Sequence, residues 1–131
     1  MEKRLAICLL CAFFVLMATP LFSAPTKGGN EVSGKLVCAT CELKKQGAVA
    51  QCDLYGHLHA LRTKDGKIWS IIPNDSSKTL LRDESLVGKD VTVKGKSFPS
   101  AMQLDVAEYK IGSDWYSYCS TCKKIGKPHK H

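Results

Sequence analysis

The residues with the most chemical reach are cysteines and histidines. Cys38 and Cys41 are two residues apart, Cys119 and Cys122 repeat that spacing, and Cys52 stands between the pairs. Two thiolates at this spacing can grip one ion, because the turn between them points both sulfurs inward. Cys52 offers a third sulfur. His57 and His59 lie in a stretch that alternates like a strand, which puts both imidazoles on one face. Neutral imidazole suits zinc or copper, and with Cys52 the pair could complete a mixed sulfur and nitrogen site. The bland alternative is two polar residues on a half-exposed strand. The final segment adds His129 and His131 to Cys119 and Cys122, a Cys/His-rich run able to chelate a soft or borderline ion. Its alternative is a solvated basic tail with a small local disulfide.

Disulfides compete with metal for the whole set. Cys38 or Cys41 could bridge to Cys52, and Cys119 to Cys122; a bridge closing ~15 residues contributes about 3 kcal/mol in the chain-entropy model. An oxidising compartment favours bridges. The odd number of cysteines beyond the N-terminal segment and the paired C-x2-C motifs favour metal. Sequence admits both. Either way the expectation is one small region where Cys38, Cys41 and Cys52 meet a fourth partner, His57, His59 or the Cys119/Cys122 pair. If the two pairs meet, they make a four-sulfur set.

Two other uses of C-x2-C are set aside. Covalent haem attachment wants His after the second cysteine, where Glu42 and Lys123 stand. A thioredoxin-type pair opens a helix within a βαβ pattern, which is not visible here. No paired carboxylates, nucleophile elbow or phosphate loop occurs, so the reading is a binding module and not an enzyme.

The N-terminus reads as an export signal. Lys3 and Arg4 precede an uncharged apolar run from Leu5 to Ala18, 14 residues, shorter than the roughly 18 to 20 a spanning helix needs. Pro20 breaks it, and small residues follow at Ser23 and Ala24. Cleavage is expected to leave a mature chain starting between residues 19 and 26, periplasmic or secreted. The chain divides into a signal (1–24), a polar linker (25–30), a domain (31–118) and a basic Cys/His-rich tail (119–131). Removing Glu2, Lys3 and Arg4 from 19 basic and 12 acidic residues leaves 17 against 11, a net of +6. Lys123, Lys124, Lys127 and Lys130 supply four of these charges. Basic charge gathered in a tail, outside the cytoplasm, argues against nucleic acid; it suits weak contact with anionic lipid or cell-wall polymer.

The elements that must position these groups are mainly β. Residues 31–37 read as a strand running into Cys38, and 39–56 as a cysteine-rich connection. His57–Thr63 and Ile68–Ile72 flank an Asp65-Gly66 turn, a hairpin signal. Asn74 or Asp75 could cap a short helix over Ser76–Leu81. Val91 and Val93 share a face in 90–96, and Met102, Leu104 and Val106 alternate with polar neighbours. Five strands with one helix between the third and fourth fit a small OB-like Greek-key barrel. Ile68, Ile71 or Ile72, Val91, Val93, Leu104 and Val106 are the expected core. Trp115, Tyr116 and Tyr118 read as capping a barrel end, or as a stacking face for a ligand.

The stretch Gly34-Lys35-Leu36-Val37-Cys38-Ala39-Thr40-Cys41-Glu42-Leu43 followed by Gln51-Cys52, and then Gly88-Lys89-Asp90-Val91-Thr92-Val93-Lys94-Gly95, resembles a group of small exported bacterial domains of uncharacterised function. The resemblance spans roughly residues 31 to 111. It implies an OB-like barrel with cysteines as suspected metal ligands. That group carries a further cysteine before the Gly-Lys turn, where this chain has Asp83-Glu84-Ser85-Leu86-Val87, so a missing ligand must come from elsewhere. Two functions remain: an exported module with a cysteine-centred zinc or copper site, or a disulfide-stapled module binding an envelope protein.

Overall fold

The computed structural model describes residues 30–130. The expected signal with its cleavage region, and His131, lie outside the described residues. The strands are β1 (Asn30–Cys38), β2 (His59–Thr63), β3 (Ile68–Ile71), β4 (Asp90–Phe98), β5 (Gln103–Ile111), β6 (Asp114–Cys119) and β7 (Lys124–Gly126). Short helices α1 (Ala39–Lys44) and α2 (Cys52–Tyr55) separate β1 from β2, and α3 (Lys78–Arg82) lies between β3 and β4.

The sheet runs β3-β2-β1-β4-β5-β6-β7, and β3 also pairs parallel with β5 through Ser70↔Gln103 and Ile71↔Leu104. That pairing closes β1 to β5 into a five-stranded barrel, the architecture expected from sequence. Alternation fills it: Leu36 faces Leu61 across β1 and β2, Val32 faces Val93 across β1 and β4, and Val91, Leu104, Val106 and Tyr109 complete the interior. Leu80 of α3 and Leu86 close an end; Leu80 is fully buried.

The hairpin turn holds Gly66 at φ 83°, the positive value an Asp-Gly turn needs. Asn74 acts near its expected place: its side-chain oxygen accepts the Ser77 N–H at 2.8 Å, but the helix starts at Lys78, later than expected. In β3, Trp69 and Ile71 face the core, so period-two geometry turns Ile68 toward the side of exposed Ser70. Ile68 is half-buried outside the core, and Ile71 rather than Ile72 fills the core place.

Beyond the barrel the sheet continues into the segment read as tail. Tyr116 stacks on buried Tyr109 with centroids 5.4 Å apart, and Lys94 sits 4.0 Å over Trp115. The aromatics thus fasten β6 to the barrel wall. β7 pairs with β6, and Ile125 packs against the core.

The β4–β5 register shifts at Lys94/Gly95, and a Cβ on Gly95 would run into the Asp105 carbonyl oxygen. Gly95→Ala is therefore expected to destabilise the barrel by about 1–3 kcal/mol through backbone displacement. Urea unfolding measures this, and an unchanged midpoint would contradict the close approach.

Candidate metal centre

β1 delivers Cys38 to the barrel rim, where its Cα pairs with His59 of β2. The chain then leaves the barrel for residues 39–58 and returns, with the Ala39 N–H donating to Leu58 O at 2.7 Å to close the neck. Cys38 caps α1: its sulfur accepts the Cys41 N–H at 3.4 Å. That single turn lays Cys41 beside Cys38. Cys52 opens α2, and Gly56 at φ 83° ends it, reversing the chain to present His57.

Four donors from this excursion meet. Cys41 Sγ lies 3.4 Å from Cys52 Sγ and 3.6 Å from His57 Nδ1, and Cys38 Sγ lies 3.8 Å from Cys52 Sγ. All four donor atoms fall within 4.8 Å of one another. A tetrahedral ion with metal–sulfur bonds of about 2.3 Å and a metal–nitrogen bond of about 2.0 Å spaces its ligands roughly 3.5–3.8 Å apart. The observed separations match that size and are far above the ~2.0 Å of a disulfide. None of the five cysteines among the described residues is bridged.

Thr40 supports the sulfurs from outside. Its hydroxyl lies 3.0 Å from Cys38 Sγ and 2.9 Å from Cys52 Sγ, the kind of contact that orients thiolate ligands. Cys38 is buried, Cys41 and Cys52 are half-buried, and His57 is exposed, so the cluster is buried at its base and open at its rim. A cavity of about 520 Å³ beside it is lined by Cys41, His57, Glu84 and Val87 among others. Glu42 sits close but is engaged elsewhere: it takes Lys45 at 2.6 Å and Arg62 at 2.8 Å, tying α1 to β2.

The thiols are poised unequally. Burial pushes Cys38 up, but the Thr40 hydroxyl, the Cys41 N–H and His57 outweigh it and bring its pKa from 9.0 down to about 5. Hydrogen bonding to Cys38 and Cys52 drives Cys41 up to about 12. The sulfur of Cys38 holds the His57 imidazole above its ordinary 6.5. One thiolate forms readily at neutral pH and its neighbour resists. A bound cation removes that repulsion, so loading displaces the proton of Cys41 and any proton on His57. Affinity should therefore rise with pH. Because Cys41 stays protonated through the neutral range, each pH unit downward is expected to weaken binding on the order of tenfold or more. Competition titrations at pH 6, 7 and 8 check this, and a flat profile would contradict it.

A second cluster forms at the β6–β7 turn. Cys119, Cys122 and His129 place their donor atoms within 4.8 Å of one another. Cys122 donates its N–H to Cys119 Sγ at 3.3 Å, the same contact Cys41 makes to Cys38.

The three sulfurs meet in one region as expected, with His57 as the fourth partner, and the Cys119/Cys122 pair stands apart from them. Cys38 ends β1 and Cys119 ends β6, and β4 and β5 stand between those strands in the sheet, so the two C-x2-C pairs join separate groups. His59 belongs to neither: it is 3% exposed, and its Nδ1–H donates to Leu80 O at 2.8 Å, tying β2 to α3. The presumed His57/His59 strand face does not form, because β2 begins only at His59. Thr40 went unread; a hydroxyl inside a C-x2-C turn was its available signal. No protein-family model, curated protein or solved structure matches the chain.

Proposed function

We propose that this chain is an exported binding module that holds a metal ion between Cys38, Cys41, Cys52 and His57, with zinc the ion best suited and monovalent copper its competitor. The observation that carries the reading is the mutual spacing of the four donor atoms, all within 4.8 Å. Three thiolates and one imidazole are a closed tetrahedral set of the structural zinc type, with no position kept for a reacting water. This supports binding over catalysis. The resemblance to small exported bacterial domains supports the same reading, with His57 taking the place of the cysteine missing from 83–87.

Loading also protects the thiols in an oxidising compartment, because an occupied thiolate is withdrawn from exchange. The partner is then the ion itself, or an envelope protein that supplies or receives it.

The test is the metal content of material exported by a bacterial host. At least one zinc or copper per chain, of which one is lost in Cys41→Ser, is expected, on a mature protein whose first residue lies between positions 19 and 26. Metal-free exported protein with Cys41 or Cys52 in a disulfide would overturn the metal reading. Met1 retained in a membrane fraction would replace the cleaved signal with an anchor.

A further inference from the structure

We infer that the chain holds a second, independent metal ion at Cys119, Cys122 and His129, and that this ion exchanges faster than the first. The inference goes beyond the function proposed above; the second site stands without the first, and the comparison of rates rests on that proposed function.

The local fold is built like a metal knuckle. β6 ends at Cys119, and Lys123 takes a left-handed φ of 56° that turns the chain back into β7. The Lys123 N–H closes the turn on Cys119 O at 2.8 Å, while the Cys122 N–H points at Cys119 Sγ. Backbone N–H groups directed at a sulfur stabilise it as a thiolate, the form that binds metal.

His129 is seven residues further on, yet it returns to the turn. Two contacts bring it there: β7 pairs back along β6, and Lys127 is pinned to Asp114 at 3.0 Å. The ring orientation suits a ligand. Its Nδ1 faces the Lys127 carbonyl at 3.1 Å, and a carbonyl can only accept, so the proton sits on Nδ1. In the neutral ring that a metal takes, Nε2 is then the nitrogen with the lone pair, and it lies 3.4 Å from Cys122 Sγ. A histidine that donates one nitrogen to a backbone carbonyl and offers the other to an ion is the usual arrangement of metal-binding imidazole.

Charge is balanced as well. Two thiolates neutralise a divalent ion, so Lys123 and Lys124 flank a neutral centre and not a cation. The chemical class is a soft or borderline divalent ion, zinc foremost.

Position sets the exchange rate. Cys122 and His129 are exposed, whereas the first cluster is rooted on buried Cys38. A centre at the turn into a three-residue edge strand opens to competing chelators more easily than one on the barrel rim. The two centres thus suit different tasks: a held ion and an ion that can be handed on.

The experiment uses the full mature chain, reduced and loaded with zinc without oxygen. Native mass spectrometry is expected to show two ions per chain. Transfer to a chromogenic chelator should then show a fast and a slow phase of equal amplitude. His129→Ala, in an exposed residue outside every strand, should remove the fast phase and one ion while leaving the slow phase and the circular dichroism intact; Cys122→Ser should do the same. Cys41→Ser should remove the slow phase alone. One ion per chain that His129→Ala and Cys122→Ser leave in place would overturn the inference, as would a fast phase lost in Cys41→Ser. Loss of the fast phase in His129→Ala together with an unchanged slow phase in Cys41→Ser would uphold the second centre and sink the first.

Discussion

Stripping zinc from the mature protein should lower its melting temperature by more than about 15 °C, since an ion at a thousandfold excess over its Kd adds about 4 kcal/mol and each kcal/mol moves a domain of this size by roughly 4–8 °C. The reason lies in the excursion between β1 and β2. α2 buries none of its residues, and Val49, Leu54, Tyr55 and Leu58 are 97%, 70%, 81% and 55% exposed. Such a segment gains little from apolar burial, so in the proposed loaded state ligand bonds would fix it. The barrel core is separate: Leu36, Leu61, Val91, Val93 and Val106 pack together without any cysteine. Amide exchange in 39–58 should therefore accelerate in the metal-free protein while β4 and β5 stay protected. Equal melting curves with and without chelator, or equal exchange in 39–58, would contradict the ion's structural role.

The barrel was legible because its signals are local and periodic. Val91/Val93 and Leu104/Val106 alternate as strands facing one core must, and Asp65-Gly66 marks a turn that only a few residue types accept. The β3–β5 pairing that closes the barrel could be expected only from the order of elements. Ile68 misled because β3 is four residues long, and apolar character alone does not say which of two adjacent isoleucine-bearing faces points inward; Trp69 and Ile71 decide it.

The site was legible in its donors and less so in their grouping. Cys38 and Cys41 meet through one turn, which spacing alone predicts. The meeting of Cys52 and His57 with them depends on Gly56 reversing the chain, a feature that spacing does not encode. The separation of the two C-x2-C pairs depends on strand order across the sheet, a long-range property. His129 reaches the second cluster because β7 exists, and Lys124-Ile125-Gly126 is too short to announce itself among lysines.

Cys41→Ser should cost the first centre more than about a hundredfold in zinc affinity, because structural zinc binding of roughly 10–16 kcal/mol shared by four ligands makes each worth about 3 kcal/mol, and 1.4 kcal/mol is tenfold. Cys41 is the hub of the cluster, 3.4 Å from Cys52 Sγ and 3.6 Å from His57 Nδ1. A serine hydroxyl keeps its proton and offers the ion no thiolate. The side chain is half-buried on a short helix outside the barrel, so the barrel should fold as the metal-free protein does.

The most direct test counts ions on two proteins that both carry Cys119→Ser and Cys122→Ser, with and without Cys41→Ser. Native mass spectrometry at neutral pH, under reducing conditions with zinc in slight excess, should show one ion on the first and none on the second. One ion on both, or none on either, would contradict a centre built from Cys38, Cys41, Cys52 and His57.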